Sequence, residues 1–159
     1  MNLSTSKLMI VLGAVLSLCG CNARKPEPAS TNRQAALSGQ LPYNPLEWKP
    51  ITTSLNRTAA TTSTLYGNDA AVTYARSTAG TAYPKGAVLA LVTWSERDDP
   101  HWFGAKIPGA PQSVEFVAVG DRLQYSAYRG SPLANTQAAD DLAATRIDYI
   151  THQRAAVMP

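Results

Sequence analysis

The stretch Ala87-Val88-Leu89-Ala90-Leu91-Val92-Thr93-Trp94 decides the fold. Eight residues without a charge are too few for a buried helix of ordinary length, and valine twice with a closing tryptophan favours an extended chain. No polar residue alternates with the apolar ones, so the strand has no solvent face and belongs in the centre of a sheet covered on both sides. Tyr83-Pro84-Lys85-Gly86 supplies the turn that starts it.

On the N-terminal side, Thr61-Thr62-Ser63-Thr64-Leu65-Tyr66 is rich in β-branched residues and reads as a strand, and Gly67-Asn68 offers a turn and a helix cap. A helix is expected over Asp69 to Thr78. Val72, Ala75, Arg76 and Ala79 fall at i, i+3, i+4 and i+7, Asp69 suits the positive helix start, and Gly80 suits its end. On the C-terminal side, Asp98 to Gln112 carries Pro100, Gly104, Pro108, Gly109 and Pro111 and reads as a long loop. Ser113 to Val119 and Leu123 to Tyr128, joined at Gly120-Asp121, read as a strand hairpin, and Asp140 to Thr145 as a short helix with an acidic start. Pro42 to Ile51 reads as a proline-stiffened segment with Trp48 as a buried plug. The sum is an α+β domain, mainly antiparallel β-sheet with two or three short helices.

The 159 residues suffice for one packed core and not for two ordinary domains. Charged residues are 16% of the chain, 14 Lys+Arg against 11 Asp+Glu, and they are scattered singly. A net charge of +3 spread this way gives no nucleic-acid footprint. Lys7 followed by the apolar Leu8 to Leu18 has the length of a signal-peptide core and is too short to span a bilayer. The leader closes on Leu18-Cys19-Gly20-Cys21, which resembles a bacterial lipobox and implies lipidation of Cys21. Residues 1–20 are thus expected to be a lipoprotein signal peptide, 21–40 a tether without apolar periodicity, and 41–159 the domain. Asn22 after the cysteine is not the aspartate of inner-membrane retention, so the expected place is the outer membrane, lipid-anchored and facing the periplasm. With Cys19 lost and Cys21 acylated, the mature chain has no thiol for a disulfide, a nucleophile or a thiolate metal site.

No serine-nucleophile elbow, phosphate-cradling glycine loop or zinc-protease motif occurs. His101 follows Asp98, Asp99 and Pro100, which places two carboxylates near an imidazole, but a third ligand is missing and no metal site is assigned. The candidate ligand-binding residues are His101, Trp102, Glu115 and His152. Trp94, Trp102, Phe103, Phe116 and Tyr125 either line a pocket or fill the core. Glu115, alone in an apolar strand, points outward by default or into a pocket if buried. Arg76, Lys106, Arg122 and Arg129 bind an anion if they converge.

Asn68-Asp69-Ala70-Ala71-Val72-Thr73-Tyr74-Ala75-Arg76, Tyr83 to Leu89 ending at Trp94, Val114-Glu115-Phe116 and Asp148-Tyr149-Ile150-Thr151 resemble, in order and spacing, the landmarks of the cytochrome P460 domain. The resemblance covers most of Thr61 to Thr151. It implies a mainly β fold, shared with cytochromes c-prime of the beta type, that often forms homodimers. It also implies, in the haem members, oxidation of hydroxylamine or handling of nitric oxide at a c-type haem. That haem is attached through C-x-x-C-H shortly before the terminal Asp-Tyr motif, where this chain reads Asn135-Thr136-Gln137-Ala138-Ala139-Asp140-Asp141, without cysteine or histidine. A porphyrin-linking lysine is expected on the core strand, where Leu89-Ala90-Leu91-Val92 stands instead. The leading expectation is therefore a haem-less binding or accessory module, with no cofactor, whose partner is an unknown small ligand or an envelope protein. The alternatives are a redox protein holding haem non-covalently through His101 or His152, and a purely structural outer-membrane lipoprotein.

Overall fold

The computed structural model describes residues 32–77, 81–137 and 139–156. The leader, Cys21 and the first part of the expected tether lie outside the described residues, as do Thr78 and Gly80 at the end of the expected helix.

Six strands form one antiparallel sheet in which spatial order follows sequence order. They are β1 (Lys49–Asn56), β2 (Thr61–Gly67), β3 (Val88–Asp98), β4 (Lys106–Val119), β5 (Leu123–Arg129) and β6 (Ala134–Thr136). Two helices, α1 (Asp69–Arg76) and α2 (Asp140–Thr151), complete the fold, with short 3-10 turns at Arg33–Ala35 and Pro45–Glu47. The mainly antiparallel α+β class expected from the sequence is the one observed.

β3 is the central strand. Leu89, Ala90, Leu91 and Val92 are all essentially inaccessible. Alternation divides them between two cores. Ala87, Leu89 and Leu91 join Ile51, Leu65, Val72, Val117 and Ile150 beneath the helices. Val88, Ala90, Val92 and Trp94 join Val114, Phe116 and Leu133 on the opposite face.

α1 begins where the sequence places it. The Asn68 side chain accepts from Ala71 N at 3.1 Å, capping the first turn, and its amide donates to Gly86 O at 2.8 Å, which ties the helix start to the turn before β3. Gly67 is required here, because a Cβ would lie 2.8 Å from both Ala71 Cβ and Ile51 Cδ1.

Four local expectations change. The span 98–112 is not a loop: β3 continues to Asp98 and β4 starts at Lys106, leaving only residues 99–105 as the turn. Its prolines are tolerated because β5 pairs with β4 only from Ser113 onward, so Pro108 and Pro111 sit where the strand has one neighbour, beside register shifts around Trp94. α2 runs six residues beyond Thr145, because Ile150 is fully buried against the sheet and holds the last turns down. Trp48 is half-buried, not a plug; Pro45 and Ile51 are the buried residues of that segment, and the indole lies tilted against Tyr43 with ring centres 5.4 Å apart. Finally, residues 32–40, expected within the tether, dock on the domain. Trp94 Nε1 donates to Ala35 O at 2.9 Å, Asn32 Nδ2 donates to Pro108 O at 2.7 Å, and Ala35 and Leu37 cover the second core.

Candidate functional site

The helix-covered face of the sheet changes character along its length. Leu65, Leu89, Leu91 and Val117 make it apolar near the helices, but the row in register beyond Leu65 and Leu91, Ser54, Ser63, Thr93 and Ser113, is hydroxylic. Ser63 Oγ and Thr93 Oγ1 lie 2.8 Å apart. Where this row passes the edge of α2, a cleft of about 580 Å³ opens. Leu91 floors it, Ser54, Thr61, Ser63 and Thr93 contribute hydroxyls, and Arg57, Arg146 and Tyr149 contribute charge and a ring.

Beside the cleft stands a buried ion pair. Glu115, 3% exposed, is opposite Leu91 on one side and Ala127 on the other, on the face that α2 covers. Arg146 Nε donates to Glu115 Oε1 at 2.8 Å, and its terminal nitrogen donates to Oε2 at 2.6 Å, a bidentate arrangement. The Tyr125 hydroxyl also donates to Oε1. Tyr125 reaches it diagonally, since its own register partner is Val117. Burial, and then the Glu115 hydrogen bond, push the Tyr125 phenol well above its ordinary range. The hydrogen bond to Glu115 likewise raises Arg146. Arg146 also lies 4.7 Å above the Tyr149 ring. Arg146, Tyr149 and Ile150 are spaced i, i+3, i+4, so one helix stripe carries the clamp, the cleft wall and the core anchor.

The four residues singled out from the sequence do not converge. Glu115 is at the clamp and is buried, correcting the outward default: at that point both faces of β4 are covered, so alternation offers no solvent side. His101 and Trp102 are exposed in the β3–β4 turn. His152 caps the C-terminal end of α2, its Nδ1 3.0 Å from Asp148 Oδ1, on the rim of a second opening of about 1180 Å³. Arg76 and Arg122 border that opening as well, while Lys106 pairs with Asp98 at 2.5 Å on the hairpin. Trp94 and Phe116 are core residues. Among the described residues no three His, Cys, Asp or Glu side chains come together to hold a metal. The anion-binding residues inferred from sequence omitted Arg146, although a lone glutamate in an apolar strand demands a partner.

A two-core meander carrying helices on one face, with a polar cleft beside a buried carboxylate–guanidinium clamp, defines a small α+β domain. The Cytochrome P460 family model matches residues 43–131, more than half of the chain, and the chain belongs to the cytochrome P460 family. No curated protein matches it.

A c-type haem requires two thiols and an imidazole. No cysteine follows Cys21 in the sequence, and neither histidine lines the cleft beside α2. The residues there do not fit a covalently attached haem.

Proposed function

We propose that the protein is a haem-less member of the family, lipid-anchored through Cys21 to the outer membrane and facing the periplasm, that acts as a binding or accessory module and not as an enzyme. The observation that carries this reading is the donor set of the cleft: hydroxyls, two guanidiniums and a phenol surround it, with no thiol or imidazole among the described residues. Such a lining suits a small, hydroxyl-bearing anionic molecule. Arg146 is held in place by Glu115 and so is pre-organised, while exposed Arg57 faces it from the end of β1. Ordered groups of this kind bind without the entropy cost of fixing a mobile side chain. The lipobox and the charge pattern support the anchor and the absence of nucleic-acid partners.

The test is a visible spectrum of the mature protein isolated from haem-replete cells, then titrated with haemin, followed by calorimetric titration with glucuronate as the anionic probe. The expected result is no Soret band, and a heat of glucuronate binding that Arg57→Ala removes. A stoichiometric Soret band, lost in His101→Ala or His152→Ala, overturns the haem-less reading and names the ligand. Absence of glucuronate heat in the unaltered protein overturns the proposed ligand class.

A further inference from the structure

The β3–β4 hairpin ends in the most exposed large apolar side chains of the described chain, and they are adjacent: Trp102 is 73% exposed and Phe103 fully so. The turn that presents them is closed by its own hydrogen bonds. Asp99 N donates to Ala105 O at 3.0 Å, Ala105 N to Trp102 O at 3.1 Å, and His101 N to Asp99 Oδ1 at 2.8 Å. Gly104 supplies the positive φ of 76° that lets the chain reverse behind the rings. Two aromatic rings are thus held in water by an ordered turn, where a loop selected only for solubility would carry polar residues.

The position of Asn32 relates the hairpin to the point where the described chain begins. Asn32, the first described residue, is bonded to both strands of this same hairpin: its Nδ2 donates to Pro108 O at 2.7 Å, and Arg97 donates to its Oδ1 at 3.2 Å. Trp102 lies five residues from Arg97, at most about 18 Å along an extended chain. Asn32 lies eleven residues along the chain from Cys21, at most about 40 Å. An anchor at Cys21 therefore keeps the hairpin tip within reach of the surface to which the chain is attached. The flanks bring no net cationic patch, since Lys106 is paired with Asp98.

We propose that Trp102 and Phe103 insert into the headgroup–acyl boundary of the bilayer that carries the Cys21 anchor, making the hairpin a second contact that fixes the orientation of the domain on the membrane. Tryptophan suits that boundary because its ring is apolar while its N–H reaches a headgroup or water. A multiply acylated anchor holds the chain to the membrane but leaves the domain free to turn on its tether, and a second apolar contact fixes that orientation. With no cationic patch at the tip, the contact is insensitive to ionic strength, unlike attraction to anionic lipid. The proposal rests on the lipid anchor, and the experiment separates the two.

The full lipidated protein is reconstituted into phosphatidylethanolamine–phosphatidylglycerol vesicles with acyl chains brominated near the headgroup, and flotation is read beside tryptophan emission. Subtracting the Trp102→Phe spectrum isolates Trp102 from Trp48 and Trp94. The expected result is flotation with blue-shifted, bromine-quenched Trp102 emission that persists in high salt. In Phe103→Ser the shift and quenching are diminished while flotation is retained. Flotation with Trp102 emission red and unquenched overturns the insertion and leaves the anchor. Failure of the intact protein to float, with no lipid on Cys21, overturns the anchor and with it the stated placement of the tip. A shielded but unquenched Trp102 in a chain that cross-links to a second copy assigns the tip to self-association and overturns the membrane contact.

Discussion

The two faces of the sheet are built from alternate residues of the same strands and have different fates. On one face Val88, Ala90, Val92 and Trp94 remain apolar to the end of the buried stretch, and residues 32–48 close over them. On the other, Leu89 and Leu91 give way to Thr93 and Ser95, the covering α2 does not reach the end, and a polar cleft remains open beside Glu115 and Arg146. One face is closed along its whole buried length; the other has a core of its own but gives up some burial and leaves a polar cleft open. The substitution at Thr93 of a hydroxyl for an apolar group, one residue before Trp94, marks the division.

The sharpest way to break this contrast is Trp94→Ala. The indole is 4% exposed and holds Ala35 O, so its loss removes both a core ring and the latch of the N-terminal segment. The expected cost is about 3–5 kcal/mol in urea unfolding, with limited proteolysis cutting at residues 32–40 before the sheet opens. A cost below about 1 kcal/mol, within the range of a volume-conserving swap, would mean that the N-terminal segment is not part of the closed face.

The open face is tested by Arg146→Met. It leaves Glu115 buried with only the Tyr125 hydroxyl as partner, and removal of one member of a buried pair costs about 3 kcal/mol or more. Because Arg146 remains partly exposed, water offsets some of that cost. The double variant Arg146→Met with Glu115→Leu is expected to recover most of the stability but not glucuronate binding. Recovery of both would place the clamp in the core alone and remove Arg146 from the cleft.

The central strand and the first helix are legible in the sequence; the contrast between the two faces is not. The uninterrupted run at Ala87 to Trp94 marks the central strand because burial on both faces removes the need for alternation. The Asn68 cap and Asp69 start mark α1 because helix ends have unsatisfied donors. What escaped was whatever depends on neighbours in space. β1 is almost wholly exposed beyond Ile51 and carries Pro50, so its composition is that of an edge strand and resembles a loop. Pro108 and Pro111 read as loop residues because their tolerance depends on which side of β4 lacks a partner. Glu115 was singled out, but its partner Arg146 lies 31 residues away on a helix expected to end at Thr145. A helix that stops there cannot present an arginine to the sheet.

The smallest effect separates burial from hydrogen bonding in two tyrosines, one on each face. Tyr66, packed on the Trp94 side, is raised chiefly by burial; Tyr125 is raised by burial and by its bond to Glu115, and by more. A phenol whose folded pKa lies above its unfolded value keeps its full contribution to stability below about pH 10, and loses it as pH rises through the folded value. Unfolding free energy of the protein is therefore expected to decline above about pH 10, with Tyr125→Phe flattening the decline more than Tyr66→Phe. Tyr83, buried on the helix-covered face, is raised too, so neither variant abolishes the decline. Equal flattening by the two substitutions would mean that the carboxylate adds nothing to what burial alone imposes, and that the clamp consists of Arg146 and Glu115 without the phenol.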